Sequence, residues 1–100
     1  MWHSNDAEIG TVGSEEGHII LDLEHTDGAR ISLEKAASVA PYAITLGIYG
    51  KLMHTVFCSD YEEASQKVDG LKRLIEQAME YVVVGDDSGT ERIIDQITDY

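Results

Sequence analysis

Twenty-four consecutive residues, Ala36 to Ser59, contain no acid and a single base, Lys51, in a chain of 100 residues that holds 19 Asp and Glu against 7 Lys and Arg. Charges are rarely left buried unless paired, so an acid-free run in such a chain marks the part that folding removes from water. The formal charge of −12 gathers instead at the two ends. Residues 1–17 carry four acids and no base, and residues 85–100 carry five acids and Arg92. A chain of this charge repels phosphate backbones and anionic lipid, so neither nucleic acid nor a membrane surface is expected as a partner.

The acid-free run is patterned for strands. Tyr42–Ile48 and Leu52–Cys58 are rich in β-branched and aromatic residues and are joined by Tyr49-Gly50-Lys51, which reads as a hairpin. Pro41 suits the start of a strand rather than its middle. A three-residue loop places Ile48 opposite Leu52, Leu46 opposite His54, Ile44 opposite Val56 and Tyr42 opposite Cys58. Upstream, Ile19, Leu21 and Leu23 alternate with Ile20, Asp22 and Glu24, the period of a half-buried strand. A second alternating run carries Ile31 and Leu33. A two-residue Asp27-Gly28 turn would mix polar and apolar faces. A three-residue loop with Gly28 in the left-handed region pairs Leu23 with Ile31, Leu21 with Leu33 and Glu24 with Arg30, and keeps one face dry.

Helical signals follow. Ser59 and Glu62 have capping-box spacing. Apolar residues then recur at Tyr61, Ala64, Val68, Leu71, Ile75, Ala78 and Val82, at steps of three and four, which predicts an amphipathic helix. Its 22 or so residues span roughly 33 Å, enough to cross four strands diagonally. Gly70 inside it is read as a site of close packing on the sheet. Ser88 and Glu91 form a second capping box before a short helix through Ile93, Ile94 and Ile97, over 90–98.

The sequence therefore predicts an α+β domain over 18–100. Its four-stranded antiparallel meander of two hairpins is covered by one long helix, with a short C-terminal helix added. Residues 1–17, which contain Gly10, Gly13 and Gly17 without a sustained period, are expected to be a flexible acidic arm. One hundred residues fit one core of ordinary size, and 43% hydrophobic residues argue against wholesale disorder. Cys58 is the only cysteine, so no internal disulfide framework can form. The first residues lack the charged and apolar regions of a signal peptide, and no apolar run approaches the roughly 20 residues of a membrane span. A cytoplasmic location is expected.

No catalytic, cofactor or metal site emerges. His54 and Cys58 lie four residues apart on a strand, roughly 13 Å, too far to share a metal or form a thiolate–imidazole pair. His18 and Asp22 fail on the same distance, and His25 falls at a hairpin end. His3 with the terminal amine has the spacing of a square-planar copper or nickel site, a motif of only three residues. Asp86 to Glu91 lacks the alternating acids of a calcium loop and reads as a helix-capping turn. Gly47 and Gly50 flank a hairpin rather than open a helix, so no phosphate cradle is indicated.

Surface remains. The long helix covers one sheet face, while the other carries Thr45, Tyr49, Met53, Thr55 and Phe57, apolar for a surface in water. These residues are the expected interface of a homodimer, with an exposed sheet edge as another route. The competing expectation is that the C-terminal helix folds back over this face. A non-enzymatic protein-interaction module follows, acting as a homodimer or on a protein partner. In size and charge it resembles small acidic bacterial proteins that neutralise basic effectors, such as toxin-immunity proteins. The alternative is a small-ligand or enzyme domain with a pocket between helix and sheet lined by Tyr42, His54, Cys58 and Tyr61.

Overall fold

A computed structural model describes all 100 residues. Five strands form one antiparallel meander: β1 Trp2–Ser4, β2 His18–His25, β3 Ala29–Lys35, β4 Tyr42–Ile48 and β5 Leu52–Cys58. Both hairpin registers match the alternation in the sequence. Leu23 faces Ile31, Leu21 faces Leu33 and Glu24 faces Arg30, while Ile48 faces Leu52, Leu46 faces His54, Ile44 faces Val56 and Tyr42 faces Cys58. Gly28, with φ +111°, and Gly50, with φ +77°, supply the turn conformations that a side chain disfavours.

The meander has five strands where four were expected, because residues 1–17 join the sheet. β1 pairs with the C-terminal half of β2, Trp2 against His25 and Ser4 against Leu23. A single 3-10 turn, Asp6–Glu8, follows. The chain then returns to β2, where Gly10 donates to the Ile19 carbonyl and Ile19 donates to Thr11, both near 2.9 Å or less. These bonds join backbone to backbone, so they need no apolar period to form.

β2 also departs from simple alternation. Its pairing with β3 shifts between Ile19 and Leu21, a bulge at Ile20. One extra residue moves Ile19 to the face opposite Leu21 and Leu23, where it pairs with Glu34 and is buried beneath the N-terminal segment.

Two helices form the second layer. α1, Tyr61–Val83, buries Ala64, Val68, Leu71, Ile75, Ala78 and Met79 against Ala29, Ile31, Leu33, Ile44, Leu46, Ile48 and Val56. Tyr61 is exposed and Val82 half-buried, so the predicted stripe narrows at both ends. Its cap is Asp60, one residue beyond the Ser59 of the predicted box. The Asp60 carboxylate accepts the Glu63 amide at 2.8 Å, and Glu63 accepts the Ser59 amide at 3.0 Å. The same spacing occurs in both frames, and the anionic Asp is the stronger partner for a helix N-terminus. α2, Asp87–Thr98, by contrast begins earlier than predicted, capped by Asp86 on the Gly89 amide at 2.9 Å.

α2 does not fold over the far sheet face. It lies beside α1, where Ile93 and Ile97 enter the common core. Gly70 accordingly faces the Tyr100 hydroxyl rather than the sheet. The far face is left to the N-terminal segment.

Candidate interaction surface

Alternation along the strands sends Asp22, Glu24, Arg30, Ser32, Glu34, Ala43, Thr45, Gly47, Met53, Thr55 and Phe57 to the face away from α1. This face divides into two unlike halves. Over β2 and β3 it is polar and internally satisfied; over β4 and β5 it exposes Met53 and Phe57, with Thr45 and Thr55 half-buried and Ala43 and Gly47 buried.

Two buried carboxylates organise the polar half. Asp22 is fully buried, and Arg30 grips it two-pronged, from Nε to Oδ1 at 2.9 Å and from Nη2 to Oδ2. That hydrogen bond to Asp22 is the main reason the Arg30 guanidinium is held above its ordinary pKa. Glu34 is equally buried and accepts the Gly17 amide at 2.8 Å and the Glu15 amide at 3.1 and 3.3 Å. The turn Gly13–Gly17 thus wraps a carboxylate in backbone donors. A Cβ on Gly13 would lie 2.7 Å from the Glu34 Cδ, so only glycine admits this approach. Ser14 reaches the Thr45 hydroxyl at 3.2 Å and marks the limit of the covered half.

Beyond that seam the surface opens. Met53 is 76% exposed, Tyr49 60% and Phe57 44%. Thr45 and Thr55 are cross-strand partners and half-buried between them. Met53 lies across Gly47, where an added Cβ would sit 2.9 Å from its Sδ. A cleft of about 380 Å³ follows the seam, bordered by Ser14, Arg30, Thr45, Tyr49 and Met53.

β5 is the outer strand and pairs only with β4. Leu52–Cys58 contains no proline, no Lys, Arg, Asp or Glu, and no shift in its pairing. Those are the devices by which edge strands normally resist pairing. The opposite edge differs, being three residues long and followed by a helical turn.

The five residues expected at an interface therefore share one face or its rim. The four of the alternative pocket lie on the helix side and are only partly gathered. Tyr42 faces Cys58 across the ladder, and its ring meets Tyr61 edge-on at 5.9 Å. His54 sits two pairs away, opposite Leu46, with its buried Nε2 unpartnered. Burial pushes the Cys58 thiol up, which disfavours the reactive thiolate. A cleft of about 270 Å³ beside Tyr61 is lined by Leu21, Leu33, Val68 and Lys72 but not by Tyr42, His54 or Cys58.

Several other histidines and acids make local contacts. His3 lies 3.7 Å from Glu24, Asp87 lies 4.0 Å from Lys51, and Asp86 caps α2. No three His, Cys, Asp or Glu side chains converge as a metal site would require, and no helix is long and apolar enough to cross a membrane. Sequence reasoning missed the Asp22–Arg30 pair and the role of Glu34. Acids alternating with core residues on adjacent strands were the available signal.

Comparison with known proteins yields no family model, no curated protein and no solved structure that matches the chain significantly.

Proposed function

We propose that this chain is a non-enzymatic protein-interaction module that acts as a homodimer through the open half of the far sheet face, around Thr45, Tyr49, Met53, Thr55 and Phe57. The observation that carries the reading is the exposure of Met53 and Phe57 on an outer strand that has no charged residue. Large apolar side chains left exposed on one face suit contact with another protein. Charge supports the choice of a second copy. Two chains of −12 repel, and the acid-free segment 36–59 is where they meet without opposing carboxylates.

Sedimentation in the tens-of-micromolar range tests it. The wild type is expected as a dimer and Phe57→Glu as a monomer with an unchanged circular dichroism spectrum, since Phe57 lies outside the core cluster. A monomeric wild type overturns the reading.

A further inference from the structure

We infer that two copies join by antiparallel pairing of β5 with β5 of the second copy, about a twofold axis at Thr55, so that the two sheets become one. The inference rests on the homodimer part of that reading and moves the contact from the face to its edge, keeping Met53, Thr55 and Phe57 at the seam and leaving Thr45 and Tyr49 outside it. A twofold interface must be self-complementary, and side chains on a strand alternate, so only registers that keep the faces aligned are admissible.

With Thr55 opposite Thr55, Met53 falls opposite Phe57 on the far face, twice by symmetry. These are the two exposed large apolar side chains of the strand. On the helix side Leu52 meets Cys58 and His54 meets Val56. No Lys, Arg, Asp or Glu opposes another within the strand, because β5 contains none. Just beyond it, the rule that pairs 53 with 57 sets Lys51 beside Ser59 and next to Asp60 of the second copy. The one base of the acid-free segment thus approaches the first acid that follows it, at both ends of the ladder. Shifting the axis to His54 sets Phe57 against Lys51. Shifting it to Val56 sets Met53 against Ser59 and leaves the thioether without an aromatic partner. The register at Thr55 alone joins the apolar pair and the opposite charges together.

Thr55→Cys provides the test. Facing residues of antiparallel strands have Cα atoms about 4.5–5.5 Å apart, within the range a disulfide spans. Mild oxidation is expected to give a covalent dimer of Thr55→Cys. The wild type is expected not to cross-link, because Cys58 faces Leu52 of the second copy and is buried. In parallel, exchange of the β5 backbone amides in the wild type is expected to slow as protein concentration rises through the dimerisation range. A wild-type dimer that shows neither the Thr55→Cys cross-link nor slowed β5 exchange overturns the edge pairing and leaves a face-to-face dimer. A wild type monomeric at every concentration overturns edge pairing and homodimer alike, and leaves β5 to a strand from a different protein.

Discussion

Asp22 and Arg30 are not directly opposite each other in the β2–β3 ladder, yet the buried carboxylate accepts both prongs of the guanidinium along the diagonal. Arg30 keeps 39% of its side chain in water while Asp22 has none. The two partners are therefore unequal in what their loss would do. Arg30→Ala strands a buried carboxylate, and an uncompensated charge of that kind costs about 3 kcal/mol. Urea unfolding should show that loss, with Arg30→Lys intermediate because a lysine cannot fork. The double variant Asp22→Leu/Arg30→Met should recover much of it. A double variant no more stable than Arg30→Ala would show that the pair is not the source.

Glu34 holds the Gly13–Gly17 turn to the sheet. Glu34→Gln exchanges one accepting oxygen for a donor facing backbone N–H groups, and hydrogen bonds to charged groups are worth about 1.5–3 kcal/mol. The expected outcome is faster hydrogen exchange at Glu15 and Gly17, with the β4–β5 ladder unaltered. Gly13→Ala should give the same pattern by steric means, since its Cβ would occupy the Glu34 carboxyl. Uniform acceleration across the sheet in both variants would place the effect elsewhere.

Two helical glycines make a contrasting pair. At Gly70 the obstacle to a Cβ is the Tyr100 hydroxyl, the tip of a partly exposed side chain that can swing away. Gly70→Ala is expected to be neutral or to stabilise by up to about 1 kcal/mol through helix propensity. At Gly89 the obstacle is the Tyr81 ring, with Cγ and Cε1 both 2.7 Å from the added atom. That ring is fixed by Arg92, which donates to its hydroxyl at 2.8 Å and stacks at 5.3 Å. Gly89→Ala should therefore lose about 1–3 kcal/mol, the usual scale of overpacking. Equal unfolding midpoints for the two variants would refute the distinction.

His25 links stability to acid. Its Nδ1 accepts the Asp27 amide at 3.1 Å, and its Nε2 lies 3.0 Å from the Met1 amine. Burial, reinforced by the charge of that amine, holds its pKa below the ordinary 6.5. The unfolded chain then takes up its proton first as pH falls. Stability from this group is complete above about pH 6.5, declines below it, and levels once the folded imidazole is also charged. His25→Gln removes that titration, so the drop in urea midpoint between about pH 7.5 and about pH 5 should be smaller than in the wild type. An equal drop would assign the acid sensitivity to other groups.

Much of this architecture is written in local pattern. Alternation and loop length together fix both hairpins, because any other register would wet Leu23 and Ile31, or Ile44 and Val56. The exposure of Met53 and Phe57 was legible for the same reason: the run was apolar on both faces, and one helix covers only one. Other features resist such reading. Ile19 is apolar and suits either face, so nothing in its identity signals the bulge. Ser59 and Asp60 each have a glutamate three residues on, leaving the cap frame open. Glu34 and the edge of β2 are satisfied by backbone groups, which carry no residue code. The diagonal from Asp22 to Arg30 depends on side-chain reach rather than on register.

The unequal edges of the sheet bear on aggregation. β1 ends after three residues, and the segment behind it occupies the rest of the β2 margin, whereas β5 is open along its whole length. A sheet that can grow from one side only is a chain terminator for itself: if two copies pair along β5 as proposed, neither offers a third a long free edge. Under the proposed pairing, the strand that joins two copies would also limit the assembly to a closed pair and keep it from propagating as a fibre.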